Sequence, residues 1–142
     1  MIPAATSILL REAVGGPQVL LVQRHPQLTF MGGMWAFPGG RVEALDGPAT
    51  DPERAFRAAA VRETFEECAV QLPADSLQSW AHWVTPSASP RRFDTRFYAV
   101  RMPPDQTVVL DLSESVAFDW LSPASAVQLS HSRALAISPP TH

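Results

Sequence analysis

Two short runs near the start of the chain, roughly Ala4 to Arg11 and Gln18 to Arg24, concentrate aliphatic residues on either side of the turn signal Gly15-Gly16-Pro17. They read as two strands. The run LTFMGGMWAFPGG that follows is glycine-rich and aromatic, reads as a loop, and ends in the pair Gly39-Gly40. After the loop-like ALDGPATDPE comes the one strong helical pattern, about Pro52 to Cys68, with Asp51 suited to the N-cap and Pro52 to the first helical position. Further strands are expected around Ser79 to Thr85, Phe93 to Met102 and Val116 to Leu121, and a second, weaker helix from Ser122 onward (SPASAVQLSHSRAL). Strands and helices interleave, so the expected architecture is an α/β domain with a mixed sheet. The fourteen prolines fall at element edges, with neither an internal repeat nor a Gly/Ser-rich linker, and residues 1–142 read as a single domain.

On a helical wheel, Ala58, Val61, Phe65 and Cys68 fall on one stripe, which is expected to face the core. Glu63, Glu66 and Glu67 fall on the opposite side at spacings of i, i+3 and i+4, where neighbouring Cβ atoms lie only about 5–6 Å apart. Three carboxylates so close repel one another unless a cation sits among them, and an oxygen-only cluster suits a hard divalent ion such as Mg²⁺. Arg62 borders the group and could orient one carboxylate through a charge-assisted hydrogen bond. The plain alternative is a solvated acidic face on an amphipathic helix.

Composition narrows the chemistry. With 142 residues, 46% of them apolar, the chain has material for a real core, and 18% charged residues suggest neither disorder nor a nucleic-acid coat. A formal net charge of −3 offers no field to attract a polyanion, so a phosphate-bearing substrate has to be held by local groups and bound cations. All eleven basic residues are arginine, which excludes a lysine nucleophile or Schiff base. One cysteine, Cys68, cannot form an internal disulfide, no basic n-region precedes the first apolar run, and no apolar stretch reaches membrane-spanning length. A cytoplasmic protein with neither nucleic-acid nor membrane partners is the expectation.

The order of a strand (QVLLVQR), a glycine-aromatic loop (MWAFPGG) and a helix carrying RETFEE resembles the Nudix box and its approach. That family's box is commonly written G-x5-E-x7-R-E-U-x-E-E-x-G-U, with U aliphatic; this chain supplies Gly40, Arg62, Glu63, Glu66, Glu67 and Val70. WVTPSASPRRFDTRFYAV and ESVAFDWLSPASAV are similar to the later strands and closing helix of the branch containing coenzyme A diphosphatases. The departures are specific. Gly40 precedes Arg62 by 22 positions against 14 in the standard box, an insertion of about eight residues that is itself typical of that branch. The first Glu of the box has no assigned counterpart, since Glu43, Asp46 and Glu53 compete. Thr64 replaces the first aliphatic position, and Ala69 replaces the glycine that normally gives the helix its left-handed stop.

The resemblance implies a Nudix-type α/β/α sandwich and a pyrophosphohydrolase dependent on Mg²⁺ or Mn²⁺. Glu63 and Glu67 would bind the metal, Glu66 would complete the set, and the Gly40 carbonyl would add a ligand. Glu114 is in the right region for a further ligand or general base, and reads equally as a surface carboxylate. Arg24 and Arg41 read either as phosphate contacts or as surface ion pairs. Arg91, Arg92 and Arg96 could meet substrate phosphates or form a polar strand edge. Trp35 and Phe37 suit core packing or base stacking, Cys68 a buried small hydrophobe, and His82 lacks a second ligand at zinc spacing. The substrate class implied is a small nucleoside diphosphate derivative, with coenzyme A or an acyl-CoA foremost. The alternatives are a MutT-type nucleoside triphosphate pyrophosphohydrolase and a catalytically silent nucleotide-binding module. A homodimer is compatible with each.

Overall fold

The computed structural model of the protein describes residues 1–28, 32–85 and 92–131, with the backbone alone for 129–131. Chain order is β1 (Ile2–Ala13), β2 (Gly16–Arg24), β3 (Trp35–Ala36), β4 (Gly39–Arg41), α1 (Pro52–Cys68), β5 (Gln78–Val84), β6 (Phe93–Arg101), β7 (Ser115–Leu121) and α2 (Pro123–His131). Short 3₁₀ turns occupy Ala44–Asp46 and Ala74–Ser76. The expected strands and both helices are present, the second as far as His131, while residues 132–135 of the expected helix lie outside the described residues. The glycine-aromatic run, expected as loop, contributes two short strands, β3 against β2 and β4 against β1.

β1 and β2 form an antiparallel hairpin closed at Ala13 and Gly16, where Gly15 and Gly16 take positive φ. β6 lies parallel to β1, and β5 and β7 run antiparallel to β6 and β2, so the sheet is mixed. β6 is flanked by β1 and β5, so the arginine-rich start of β6 is not a polar strand edge; β5 is the edge beside it. Strand alternation sends Ala5, Leu9, Leu20, Val22, Tyr98 and Val100 to one face, against Phe56, Ala59 and Cys68 of α1. On the other face Leu21 meets Ala126 of α2, with half-buried Trp35 and Phe37 beside them. The result is an α/β/α sandwich.

α1 begins as expected: the Asp51 carboxylate accepts the Arg54 N–H at 3.3 Å, and Pro52 stands in the first turn. Its buried face differs from the wheel reading. Ala55, Phe56, Ala59, Ala60, Thr64, Glu67 and Cys68 are buried, whereas Phe65 is 51% exposed. Small alanines let the helix approach the sheet closely. Because that face includes Glu67, a reading that sends every carboxylate to solvent rotates the helix away from its true orientation. Ala69 also departs from expectation: it adopts the left-handed conformation without being glycine (φ 57°, ψ 27°) and donates its N–H to Phe65 O at 2.9 Å, so the αL stop is retained. Among the described residues no helix is long and apolar enough to cross a membrane.

Candidate active site

The pair Gly39-Gly40 sits on β4, paired with Thr6 and Ala5 of β1, directly under α1. From this position the Gly39 N–H donates to Glu67 Oε2 at 2.9 Å. A Cβ on Gly40 would come within 2.5 Å of the Glu63 carboxyl carbon, so only glycine leaves that carboxylate its place. Glu67 is 6% exposed. Burial first, then the negative charges of Glu63 and Glu114, push its pKa up to about 8 against the opposing Gly39 N–H and the Arg24 charge. Burial likewise raises Glu63, with Arg62 pulling it down and Glu66 and Glu114 adding to the rise.

Arg62 organises the outer half of the site. Its Nε and Nη2 hold the two Asp46 oxygens at 2.9 Å each, its Nη1 reaches Glu63 at 2.9 Å and Glu66 at 3.2 Å, and Nη2 also donates to Arg41 O at 3.0 Å. Asp46 belongs to the inserted segment, where it caps its own 3₁₀ turn by accepting the Glu43 N–H at 2.8 Å. Burial pushes the Asp46 carboxyl up, but hydrogen bonds from Arg62 and Glu43 outweigh it and leave its pKa lowered. These contacts raise Arg62 well above its ordinary value. Of the three acids competing for the box's first position, Asp46 is the one that meets Arg62. Glu53 instead binds Arg57, Arg96 and Tyr98 beside the start of α1.

The remaining candidates are placed as follows. Arg24, at the end of β2, is near enough for its charge to favour the ionised form of Glu67. Glu114 is exposed, yet its charge acts on both Glu63 and Glu67. Its segment is tied to α1 through the Asp111 N–H on Glu67 O at 3.0 Å and to β2 through its own carbonyl, which accepts the His25 N–H at 2.7 Å. Glu66 is drawn outward to Arg62, and Arg41 contributes its carbonyl there while its side chain is exposed.

Arg92 donates to Thr85 O at 3.3 Å and Arg96 lies over the Phe56 ring; Arg91 lies outside the described residues. Cys68 is fully buried, its thiol pushed up to about 12 by burial and the Glu67 charge, as befits a packing residue. His82 pairs with Asp94.

The roles of Gly39 and of the Asp111 tether are not read from the sequence, and Asp46 stands there only as one of three competing acids. The turn signal DG at Asp46-Gly47 is the local hint that sets Asp46 apart from Glu43 and Glu53.

Among the described residues no three His, Cys, Asp or Glu side chains converge into a ready-made metal site. What does converge is a buried acid, Glu67, beside a half-buried one, Glu63, with the charge of Glu114 added. Burial first, and the repulsion among these carboxylates next, push both acids up, and the oxygen-only donor set they offer with the Gly40 carbonyl fits a hard divalent cation.

Comparison with known proteins agrees with this geometry. The fold matches a NUDIX hydrolase from Alicyclobacillus acidocaldarius with a TM-score of 0.88 at 22% identity, covering 99% of this chain and 87% of that one. In sequence the chain is 27% identical over 221 residues to an acyl-coenzyme A diphosphatase of Homo sapiens, covering 88% of this chain. It is 34% identical over 116 residues to an octanoyltransferase of Myxococcus xanthus, covering 80% of this chain. The chain spans 58% of the length of the human relative and 29% of the bacterial one. The NUDIX domain family itself matches residues 1–138. With a family match over nearly its whole length, the chain belongs to the Nudix hydrolases, which are generally pyrophosphohydrolases.

Proposed function

We propose that this chain hydrolyses the diphosphate of coenzyme A or an acyl-coenzyme A, using Mg²⁺ or Mn²⁺ held by Glu63 and Glu67 with the Gly40 carbonyl. The observation that carries the reading is the Glu67 carboxylate, 6% exposed and facing a second acid across Gly39-Gly40. An uncompensated buried carboxylate costs free energy, and a structural role would be met more cheaply by an apolar side chain. When bound, the cation supplies charge screening for the diphosphate and makes an attacking water more acidic.

The protein's own groups do the rest. The Gly39 N–H aims Glu67, and Arg62, anchored by Asp46, holds Glu63 from the opposite side. Glu66 is one hydrogen bond from release by Arg62 and can turn to join the set. Glu114, whose charge acts on Glu63 and Glu67, would serve as a further ligand or take a proton. Arg24, whose charge reaches Glu67, and Arg41, whose side chain is exposed, would supply the phosphate contacts. Coenzyme A is favoured as substrate class by the human acyl-coenzyme A diphosphatase relative, together with the long segment between Gly40 and Arg62.

Incubation with Mn²⁺ and a panel of coenzyme A, acyl-CoA, nucleotide sugars, dinucleotides and nucleoside triphosphates, read by phosphorus NMR, tests the proposal. Two monophosphate products, one of them phosphopantetheine, support it. Pyrophosphate released from a triphosphate would replace it with a MutT-type activity, and no turnover across the panel would leave a binding module.

A further inference from the structure

Between β6 and β7 the chain returns to the end of α1. Met102, Val108 and Leu110 pack on the core beneath that helix, and the N–H groups of Val109 and Asp111 donate to Cys68 O at 2.9 Å and Glu67 O at 3.0 Å. Between this segment and the strands β1 and β7 lies a cavity of about 690 Å³, within the roughly 300–1,000 Å³ usual for small-molecule sites. Its aromatic wall is Phe118 and Trp120, two residues apart on β7 and so on one face of the sheet. Their register partners, Val22 and Leu20, belong to the core packed on α1, so this is the face that carries the candidate active site.

Trp120 is held in place by Arg11, whose guanidinium lies over its ring 4.4 Å from the centroid while Nε donates to Gln18 Oε1 at 2.9 Å. Phe118 is 41% exposed and offers its ring to a ligand. Glu12, Arg101 and Thr107 also line the cavity, which therefore combines aromatic surface with hydrogen-bond donors and acceptors. A bare phosphate has no use for the aromatic wall, and an aliphatic chain has none for the polar lining. A nucleobase, flat on its faces and polar at its edges, uses both.

The cavity adjoins the carboxylates along β2 and β7. Arg24, whose charge reaches Glu67, is the register partner of Ser115; Val22, the partner of Phe118, stands two residues back on the same strand, about 7 Å away. On β7 the interval between Glu114 and Phe118 holds Val116, which is 39% exposed. A nucleoside diphosphate places one sugar between its base and its first phosphate, and this short step accommodates it.

We propose that the cavity receives the nucleobase of the substrate, stacked on Phe118 beside the Arg11-braced Trp120, with the diphosphate directed toward Glu63 and Glu67. The inference rests on the reading of the substrate as a nucleoside diphosphate derivative and adds the residues that hold its base. Stacking on one aromatic side chain strengthens binding by about five- to a hundredfold.

The test reads binding without metal, where the carboxylates repel a diphosphate and the base has to supply the affinity. Calorimetry on the full chain compares ADP, GDP and UDP with inorganic pyrophosphate, which has no base. The same series is run on Phe118→Leu, which keeps an apolar side chain but removes the ring, and on Phe118→Tyr, which keeps the ring. At least one nucleoside diphosphate should bind fivefold or more tightly than pyrophosphate. Phe118→Leu should remove that margin without lowering the melting temperature, and Phe118→Tyr should retain it. With Mn²⁺, the KM of Phe118→Leu for coenzyme A should rise by a similar factor while kcat stays within twofold. Saturation-transfer NMR reads the contact without any variant: base protons of the bound nucleotide should take up more saturation than its ribose protons.

Nucleoside diphosphates that bind no better than pyrophosphate, a margin that survives in Phe118→Leu, or stronger saturation on the ribose each overturn the assignment. Coenzyme A turnover in that case leaves the diphosphatase reading intact. A margin lost in Phe118→Leu and retained in Phe118→Tyr, together with no hydrolysis of coenzyme A, upholds the base site and removes the diphosphatase reading instead.

Discussion

Arg62 and Asp46, sixteen residues apart, meet through two parallel hydrogen bonds of 2.9 Å, and Asp46 exposes only 1% of its side chain. Bidentate pairing fixes the plane of the guanidinium as well as its position. The same guanidinium holds Glu63, so a residue of the inserted segment governs where a carboxylate of the candidate site sits.

Asp46→Ala should therefore act at two levels. It leaves a largely buried cation without its main partner, costing about 3 kcal/mol, and it frees Arg62 to pair more fully with Glu63 and Glu66. Thermal unfolding should show the loss of stability. The apparent affinity for Mn²⁺, measured by calorimetry, should fall by more than tenfold. Unchanged metal affinity would separate Asp46 from the site.

The two adjacent glycines should fail differently. A Cβ on Gly39 would lie 2.5 Å from Ala5 O and 2.8 Å from the Thr6 Cα, both parts of a strand backbone that cannot move aside. On Gly40 it meets only the end of the Glu63 side chain. Gly39→Ala should lower the melting temperature markedly, whereas Gly40→Ala should fold normally and lose at least a hundredfold in kcat. Equal melting temperatures for the two variants would contradict this account.

The pH dependence follows from Glu67. Its pKa is raised in the folded metal-free protein from 4.5 to about 8, so the folded state binds the proton more tightly than the unfolded chain. The stabilisation is complete below pH 4.5 and is lost as pH rises through 8. Metal-free melting temperature should thus decline across that window, and the increment produced by Mn²⁺ should grow with pH. Glu67→Gln should flatten the decline and abolish turnover. Asp46 has the opposite sign: its lowered pKa gives stability present above 3.8 and lost as the solution is acidified below it. Calorimetric scans from pH 3 to 9 distinguish the two.

Between β1 and α1 a buried chain of hydroxyls links Thr64 Oγ1 to Ser7 Oγ at 3.0 Å and Ser7 Oγ to Ala60 O at 3.4 Å. Both side chains are fully buried. Ser7→Ala leaves the Thr64 donor without this acceptor and should cost about 1–3 kcal/mol. Thr64→Val should cost less, and the double variant less than the two single losses added together. Additive losses, measured by urea unfolding, would rule out coupling between them.

Local chemistry was legible along the chain. The Asp51-Pro52 start of α1, the hairpin at Gly15-Gly16, the main strands and the Arg62-Glu63-Glu66-Glu67 cluster each depend on neighbours within a few residues, where steric and capping preferences act directly. The helix orientation was not legible. Phe65 is apolar and exposed, and Glu67 is charged and buried, because the seating of Phe56, Ala59 and Ala60 against the sheet fixes the helix rotation and the Gly39 N–H meets the carboxylate turned inward. The choice of Asp46 over Glu43 and Glu53 was equally out of reach, since it depends on where a long loop returns to the helix. The sequence by itself determined which elements form and which charges are available. The tertiary structure alone decided which charges share a buried volume, because desolvation and hydrogen-bond geometry depend on residues far apart in the chain.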